Sequence, residues 1–135
     1  METLFIIKPD AVRRRLTGKI LARIEREGFE IIELKLLKLS KKTAGEFYAV
    51  HRGKPFYNDL VKFMSSGKIV VALLAHKDAV VHLRKIVGAT NPIEANPGTI
   101  RNQFGTSIQM NVVHASDSKE TAAQEISFFF GRKIR

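Results

Sequence analysis

The sequence predicts an α/β fold of the α+β kind: a ferredoxin-like βαββαβ plait, a four-stranded antiparallel sheet covered by helices. Three observations predict it. Strand-like and helix-like segments alternate as β-α-β-α-β-α-β, with one further helix at the end. Residues 69–75 are apolar at every position, which marks a central strand. Only four strands are present, too few for a large open sheet, so the helices are expected on one face. A small doubly-wound parallel sheet is the alternative arrangement of the same elements.

Each element has its own signal. Residues 3–8 form a short apolar run with a β-branched centre, stopped by Pro9 and Asp10. Thr17 is placed to cap a helix that carries Ile20, Leu21 and Ile24 on one side and ends at Gly28. Ile32, Leu34 and Leu36 alternate with Glu33 and Lys35, a strand with one wet face. Residues 41–48 and a segment carrying Leu60, Val61, Phe63 and Met64 are short helices. Asp78 is placed to cap a helix bearing Val80, Leu83, Ile86 and Val87. The Gly-, Asn- and Pro-rich stretch 88–98 is an ordered loop, and 99–104 is a single helical turn. Residues 110–113 form the last strand. The final helix opens at Asp117 with Glu120 three later, a capping-box pattern, and buries Ala122, Ile126, Phe129 and Phe130.

At 135 residues the chain is expected to be one domain, 1–135, long enough to bury a real core. It has no cysteine, which excludes a disulfide framework, a thiolate zinc site and a cysteine nucleophile. No apolar run approaches the roughly 20 residues of a membrane span, and no signal peptide is expected, since Met1 leads directly into a strand-like segment. A cytoplasmic location is the simplest expectation. The net charge of +10 fits nucleic acid, an anionic membrane surface or small polyanionic substrates. Apart from Arg13-Arg14-Arg15 and the tail Arg132-Lys133-Ile134-Arg135, the basic residues are dispersed. Dispersion argues against a dedicated nucleic-acid groove and leaves only weak, salt-sensitive binding.

Chemistry concentrates near His114. An apolar run ends at this histidine, a small polar cluster opens a helix two residues later, and Glu125 lies on the flank of that helix's apolar face. An imidazole near a helix start, with a carboxylate able to fold back to it, suits a nucleophile that receives an anion. A surface histidine in a tight turn has the same spacing. No Walker A motif or Gly-x-Gly-x-x-Gly is present, so a phosphate site must rest on side chains. Arg84 on the helix before the loop, Thr90 within it and Arg101 beyond it are the candidates, because guanidinium forks match phosphate oxygens.

Six blocks then carry a resemblance. Lys8-Pro9-Asp10-Ala11-Val12, Lys54-Pro55-Phe56-Tyr57, Ser66-Gly67, Thr90-Asn91-Pro92, Pro97-Gly98-Thr99-Ile100-Arg101 and Asn111-Val112-Val113-His114-Ala115-Ser116-Asp117-Ser118 occur in order. Together, over nearly the whole chain, they resemble the nucleoside diphosphate kinases. The resemblance implies ping-pong transfer of the γ-phosphoryl of a nucleoside triphosphate to a nucleoside diphosphate through a phosphohistidine. By the same resemblance, His114 is the phosphorylated residue through Nδ1, and Glu125 is its partner, oriented by Ser116. Lys8 and Asn111 resemble the sugar-binding pair, with Lys8 also near the transferred group. Tyr48 resembles the active-site tyrosine, Phe56 and Leu60 the base-binding residues, and Arg84, Thr90 and Arg101 the phosphate ligands.

The resemblance also implies Mg2+ held mainly by the nucleotide phosphates, with no metal ligand from the protein directly, and a homo-oligomer, a hexamer in preference to a tetramer. The chain departs from the family pattern at Val50, Lys68, Asn102-Gln103 and Ala115, the last standing where many relatives have glycine. His51, His76 and His82 match no required role and are expected to be structural or exposed.

Overall fold

The computed structural model describes residues 1–131; the basic tail at 132–135 lies outside the described residues. Strands β1 (Glu2–Ile7), β2 (Glu30–Lys38), β3 (Lys68–Ala75) and β4 (Val113–Ala115) form one sheet in the order β2-β3-β1-β4. Every neighbouring pair is antiparallel, which is the plait and excludes the doubly-wound alternative. The helices are α1 (Pro9–Arg13), α2 (Thr17–Arg26), α3 (Lys41–Phe47), α4 (Tyr57–Met64), α5 (Ala79–Val87), α6 (Ile100–Phe104) and α7 (Lys119–Phe130), with a 3-10 turn at Ala49–His51. None of the described helices is long and apolar enough to cross a membrane.

Helices cover both faces of the sheet, where cover on one face was expected. Side chains of β1 alternate between two cores. Phe5 and Ile7 join Ile20, Ile24, Leu83 and Ile100 on one side. Leu4 and Ile6 join Tyr48, Met64, Ile126 and Phe129 on the other. Thus α1, α2, α5 and α6 lie on the first face and α3, α4 and α7 on the second. The physical reason is that β1 and β3 are apolar at successive positions, and a strand without a wet face must be covered twice.

The edge strand β2 departs further from its expected pattern. A bulge between Ile31 and Glu33 inserts one residue into its pairing with β3. Because side chains alternate with period two, that insertion reverses the facing of everything after it. Ile32 packs into the second core, while Leu34 and Leu36 turn outward and are 48% and 61% exposed. Leu37 packs on the second core, and Lys35, though exposed, lies across its rim. Its ammonium donates to the Phe129 carbonyl at 2.7 Å and lies 4.8 Å from the centre of the Phe130 ring.

Several boundaries also move. Leu16 occupies the N-cap of α2, with Thr17 one residue inside it. Asp78 stands at the N-cap of α5 without a side-chain capping bond. Helix α7 is capped by Ser118 with Thr121, one residue later than the expected Asp117 and Glu120. This reciprocal pair satisfies two backbone N–H groups that an acidic pair one residue earlier does not reach. The last strand spans Val113–Ala115 instead of 110–113, so His114 sits at its centre. Val112 has φ +65, which breaks the extended conformation just before the strand. The single turn of α6 forms as expected, with the Thr99 hydroxyl accepting from the Asn102 N–H at 3.2 Å.

Gly88 joins α5 to the loop at φ +91, and a Cβ there would stand 2.6 Å from Thr99 Oγ1. Gly88→Ala is expected to destabilise the chain by more than about 1 kcal/mol, through a left-handed alanine and a displaced α6 cap. Urea unfolding measures it; an unchanged midpoint would mean that the loop relaxes freely.

Candidate active site

The site forms where β4, the free edge of the sheet beside β1, meets the second face. His114 pairs with Ile6 of β1, so its imidazole rises on the side covered by α3 and α7. Its Nε2 lies 2.8 Å from Glu125 Oε1, on α7. The Ser116 hydroxyl donates to that same oxygen at 2.8 Å. A carboxylate oxygen accepts from a ring N–H, so this contact favours the tautomer protonated at Nε2, in which Nδ1 keeps its lone pair. Phe47, at the end of α3, presents its edge-to-face contact to the imidazole with centroids 5.6 Å apart. The Glu125 position was legible as a carboxylate beside an apolar helix face; Phe47 was not, because it lies in none of the six family blocks and its contact with His114 is long-range.

Two arginines approach β4 from its unpaired edge. Arg101 donates to the Val113 carbonyl at 2.8 Å and to the Gly88 carbonyl at 3.1 Å. Arg84 reaches the Ala115 carbonyl at 3.4 Å and Asp117 at 2.7 Å. Both therefore flank the histidine through the carbonyls on either side of it. Arg101 is buried and its Nε has no hydrogen-bond partner. Burial and then the nearby Arg84 push its pKa down to about 10.

Lys8, immediately after β1, is also buried, and its ammonium donates to Asn111 Oδ1 at 2.8 Å. Asn111 in turn donates to the Thr90 carbonyl at 3.0 Å, tying the strand approach to the loop. Burial, then the charge of Arg101, lowers the Lys8 pKa to about 7, against a smaller opposing effect of Asp10. Thr90 itself is exposed.

Tyr48 caps the C-terminus of α3, with its hydroxyl buried and unpartnered. Burial and the charge of Glu125 raise its pKa well above the usual phenol range, so the proton stays available for donation. Phe56 is 48% exposed at the start of α4, with Leu60 half-buried one turn on. His51, expected to be structural or exposed, packs its ring 5.1 Å from Phe56 and 6.3 Å from Tyr48. Its pKa is lowered by burial and by Lys54. His76 and His82 stack on each other and on Phe29, as structural histidines do.

The departures from the family pattern resolve unevenly. Ala115 lies within β4 and is not among the positive-φ residues, so it carries no left-handed strain. Asn102 donates to the Pro92 and Ala95 carbonyls at 3.3 and 3.1 Å and staples the loop. Lys68 begins β3 with an exposed side chain. Nothing in the structure explains Val50, which is exposed on the 3-10 turn, or Gln103.

A plait that carries a carboxylate-held histidine on its edge strand, ringed by arginine and lysine, defines a class: phosphotransferases with a histidine nucleophile. Comparison with known proteins narrows the class. Residues 1–134 match the family described as Nucleoside diphosphate kinase. The chain is 52% identical over 130 residues to a nucleoside diphosphate kinase of Persephonella marina, covering 96% of this chain and 93% of that one. It is 54% identical over 128 residues to that of Desulfovibrio desulfuricans, covering 95% and 92%. The Aquifex aeolicus enzyme superposes with a TM-score of 0.93 at 49% identity, covering 96% of this chain and 94% of that one. The Halobacterium salinarum enzyme, solved in complex with CDP, superposes with a TM-score of 0.94 at 35% identity, covering 98% and 88%. The chain belongs to the nucleoside diphosphate kinase family.

The buried lysine makes stability depend on pH. Above about pH 7 the folded chain has released the Lys8 proton that the unfolded chain still holds, so stability rises with pH from there toward the usual lysine range. Lys8→Met lacks this dependence. Its stability relative to the parent is expected to move in the parent's favour as pH goes from about 7 to about 9 in urea unfolding. A difference independent of pH would mean that Lys8 stays charged in the folded chain.

Proposed function

We propose that residues 1–135 form one nucleoside diphosphate kinase domain in which His114 Nδ1 carries the phosphoryl group. In the first half-reaction Nδ1 attacks the γ-phosphorus of a nucleoside triphosphate, the bond to the bridging oxygen breaks, and the diphosphate leaves. In the second, an incoming diphosphate takes the phosphoryl group from Nδ1 and restores the free imidazole. The observation that carries the reading is the Nε2 contact to Glu125, supported by Ser116 on the same oxygen, because it leaves Nδ1 as the nucleophilic nitrogen.

The other roles follow from charge and shape. Arg84, Thr90 and Arg101 bind the phosphates, and Arg84 exchanges its Asp117 contact for them. Lys8 and Asn111 hold the sugar hydroxyls, and a bound polyanion raises the Lys8 pKa and restores its charge. Tyr48 donates its buried hydroxyl toward the transferred group. The exposed face of Phe56 stacks on the base with Leu60 beside it, an arrangement that tolerates any base.

Mg2+ is the proposed cofactor, carried by the nucleotide phosphates. The described residues contain no group of three or more His, Asp or Glu able to hold a metal ion. When bound, Mg2+ neutralises phosphate charge. The same proposal sets the chain in the cytoplasm, where its charged substrates need cross no membrane.

A homo-oligomer, with a hexamer favoured, is part of the proposal. Leu34 and Leu36 stand exposed on the edge strand β2, an unpaired strand edge that favours association. Replacing both by lysine is expected to shift the native mass to a smaller species in light scattering; an unchanged mass would place the interface elsewhere.

The decisive experiment is intact-mass analysis after brief incubation with ATP and magnesium and no acceptor. The parent is expected to gain one acid-labile phosphoryl group, discharged by a second nucleoside diphosphate, and His114→Ala none. Glu125→Gln is expected to bind nucleotide normally and transfer at least about tenfold more slowly, about 1.4 kcal/mol at the transition state. A parent that binds nucleotide and acquires no phosphoryl group would refute the covalent relay.

A further inference from the structure

We propose that Asp10 is a positioning residue for the phosphoryl-transfer site, acting through the backbone of Val112; the inference rests on the kinase reading above. Val112 is fully buried and β-branched, and it sits at φ +65, a conformation such residues avoid. The turn it makes is tight: the Val113 N–H donates to the Asn111 carbonyl at 2.8 Å. On one side of this turn lies Asn111, bound to Lys8, and on the other His114. A strained residue at this place persists only if its surroundings hold it.

The hold comes from named atoms. The Lys8 N–H donates to the Val112 carbonyl at 2.8 Å, which continues the β1–β4 ladder. Arg101 takes the Val113 carbonyl at 2.8 Å. The Val112 N–H points the other way, and its acceptor is Asp10 Oδ2 at 3.3 Å, from the first turn of α1. Asp10 is itself buried, and its second oxygen has no hydrogen-bond partner, an expensive way to satisfy one amide. A carboxylate kept there supplies two things. It accepts the amide that the left-handed turn leaves without a ladder partner, and its charge lies near Lys8.

These two functions separate by mutation. Asparagine keeps an acceptor oxygen and loses the charge; alanine loses both. Asp10→Asn is expected to form the phosphohistidine within about threefold of the parent rate at pH 6 and saturating ATP. Asp10→Ala is expected to fall at least about tenfold under the same conditions, because the turn relaxes and His114 and Asn111 lose register. Lys8 faces Arg101 from α6, Asp10 from α1 and the neutral Asn111. Removing the carboxylate charge is therefore expected to move the pH limb of nucleotide binding lower in Asp10→Asn, a shift that a purely structural role does not produce.

A folded Asp10→Ala protein with the parent rate overturns the proposal. If Asp10→Ala does not fold, Asp10→Asn decides: a tenfold loss at pH 6 overturns the acceptor role, and a retained rate with protected Val112 amide exchange upholds it. Failure of the parent itself to become phosphorylated would fault the kinase reading instead, so the two failures are distinguishable.

Discussion

One carboxylate oxygen organises the centre of the candidate site. Glu125 Oε1 accepts from both the imidazole of His114 and the hydroxyl of Ser116. The first bond selects a tautomer and the second keeps the carboxylate from rotating away. Both bonds require α7 to lie across the second face of the sheet, with Ile126 and Phe129 buried beside Leu4 and Ile6. The orientation of the imidazole therefore draws on the packing of a whole helix. The Ser118–Thr121 box contributes by fixing where that helix starts.

The surrounding charge is unbalanced by construction. Lys8 and Arg101 are both buried, and each has its pKa lowered by burial and by a neighbouring cation. Such an arrangement costs folding energy and would be a defect in a site without an anionic ligand. For a site that receives phosphates it is preorganisation: the cations are held by Asn111 and by the Val113 and Gly88 carbonyls before the ligand arrives. Arg84 differs, because it sits in the open and pairs with an exposed aspartate. Giving up that surface pair is inexpensive, since exposed ion pairs contribute little.

Much of this was legible in the residues, for definite reasons. The first three strands, the loop and the carboxylate partner of His114 announced themselves because periodicity and apolar runs leave strong local traces, whereas the last strand lies at Val113–Ala115, displaced from 110–113 by the turn at Val112. The bulge at Ile31 and Glu33 left none, so the outward turn of Leu34 and Leu36 was hidden behind a clean alternation. The cap of α7 slipped by one residue because Asp117 and Ser118 are both good caps, and only the reach of Thr121 decides between them. Strand number alone points to cover on one face, whereas the unbroken apolarity of β1 and β3 requires cover on both. The contacts of Asp10 and Phe47 left no local trace for a different reason: their partners lie 102 residues away in one case and three α-helices further along the chain in the other.

Topology explains why residues so far apart meet. In the order β2-β3-β1-β4, the C-terminal end of β1 lies beside the start of β4, since Ile7 pairs with Val113. Lys8 and Asp10 leave the sheet at that end just as Asn111 and Val112 enter it. The antiparallel arrangement makes this crossing obligatory, whereas a parallel pairing would have brought the start of β4 to the start of β1 and separated the two pairs. The cations beside His114 then need come only from segments that already border β4: α5 supplies Arg84 and α6 supplies Arg101. The site is thus a consequence of strand order first, with the left-handed turn at Val112 as the local adjustment that lets Asn111 face Lys8 while His114 faces Glu125.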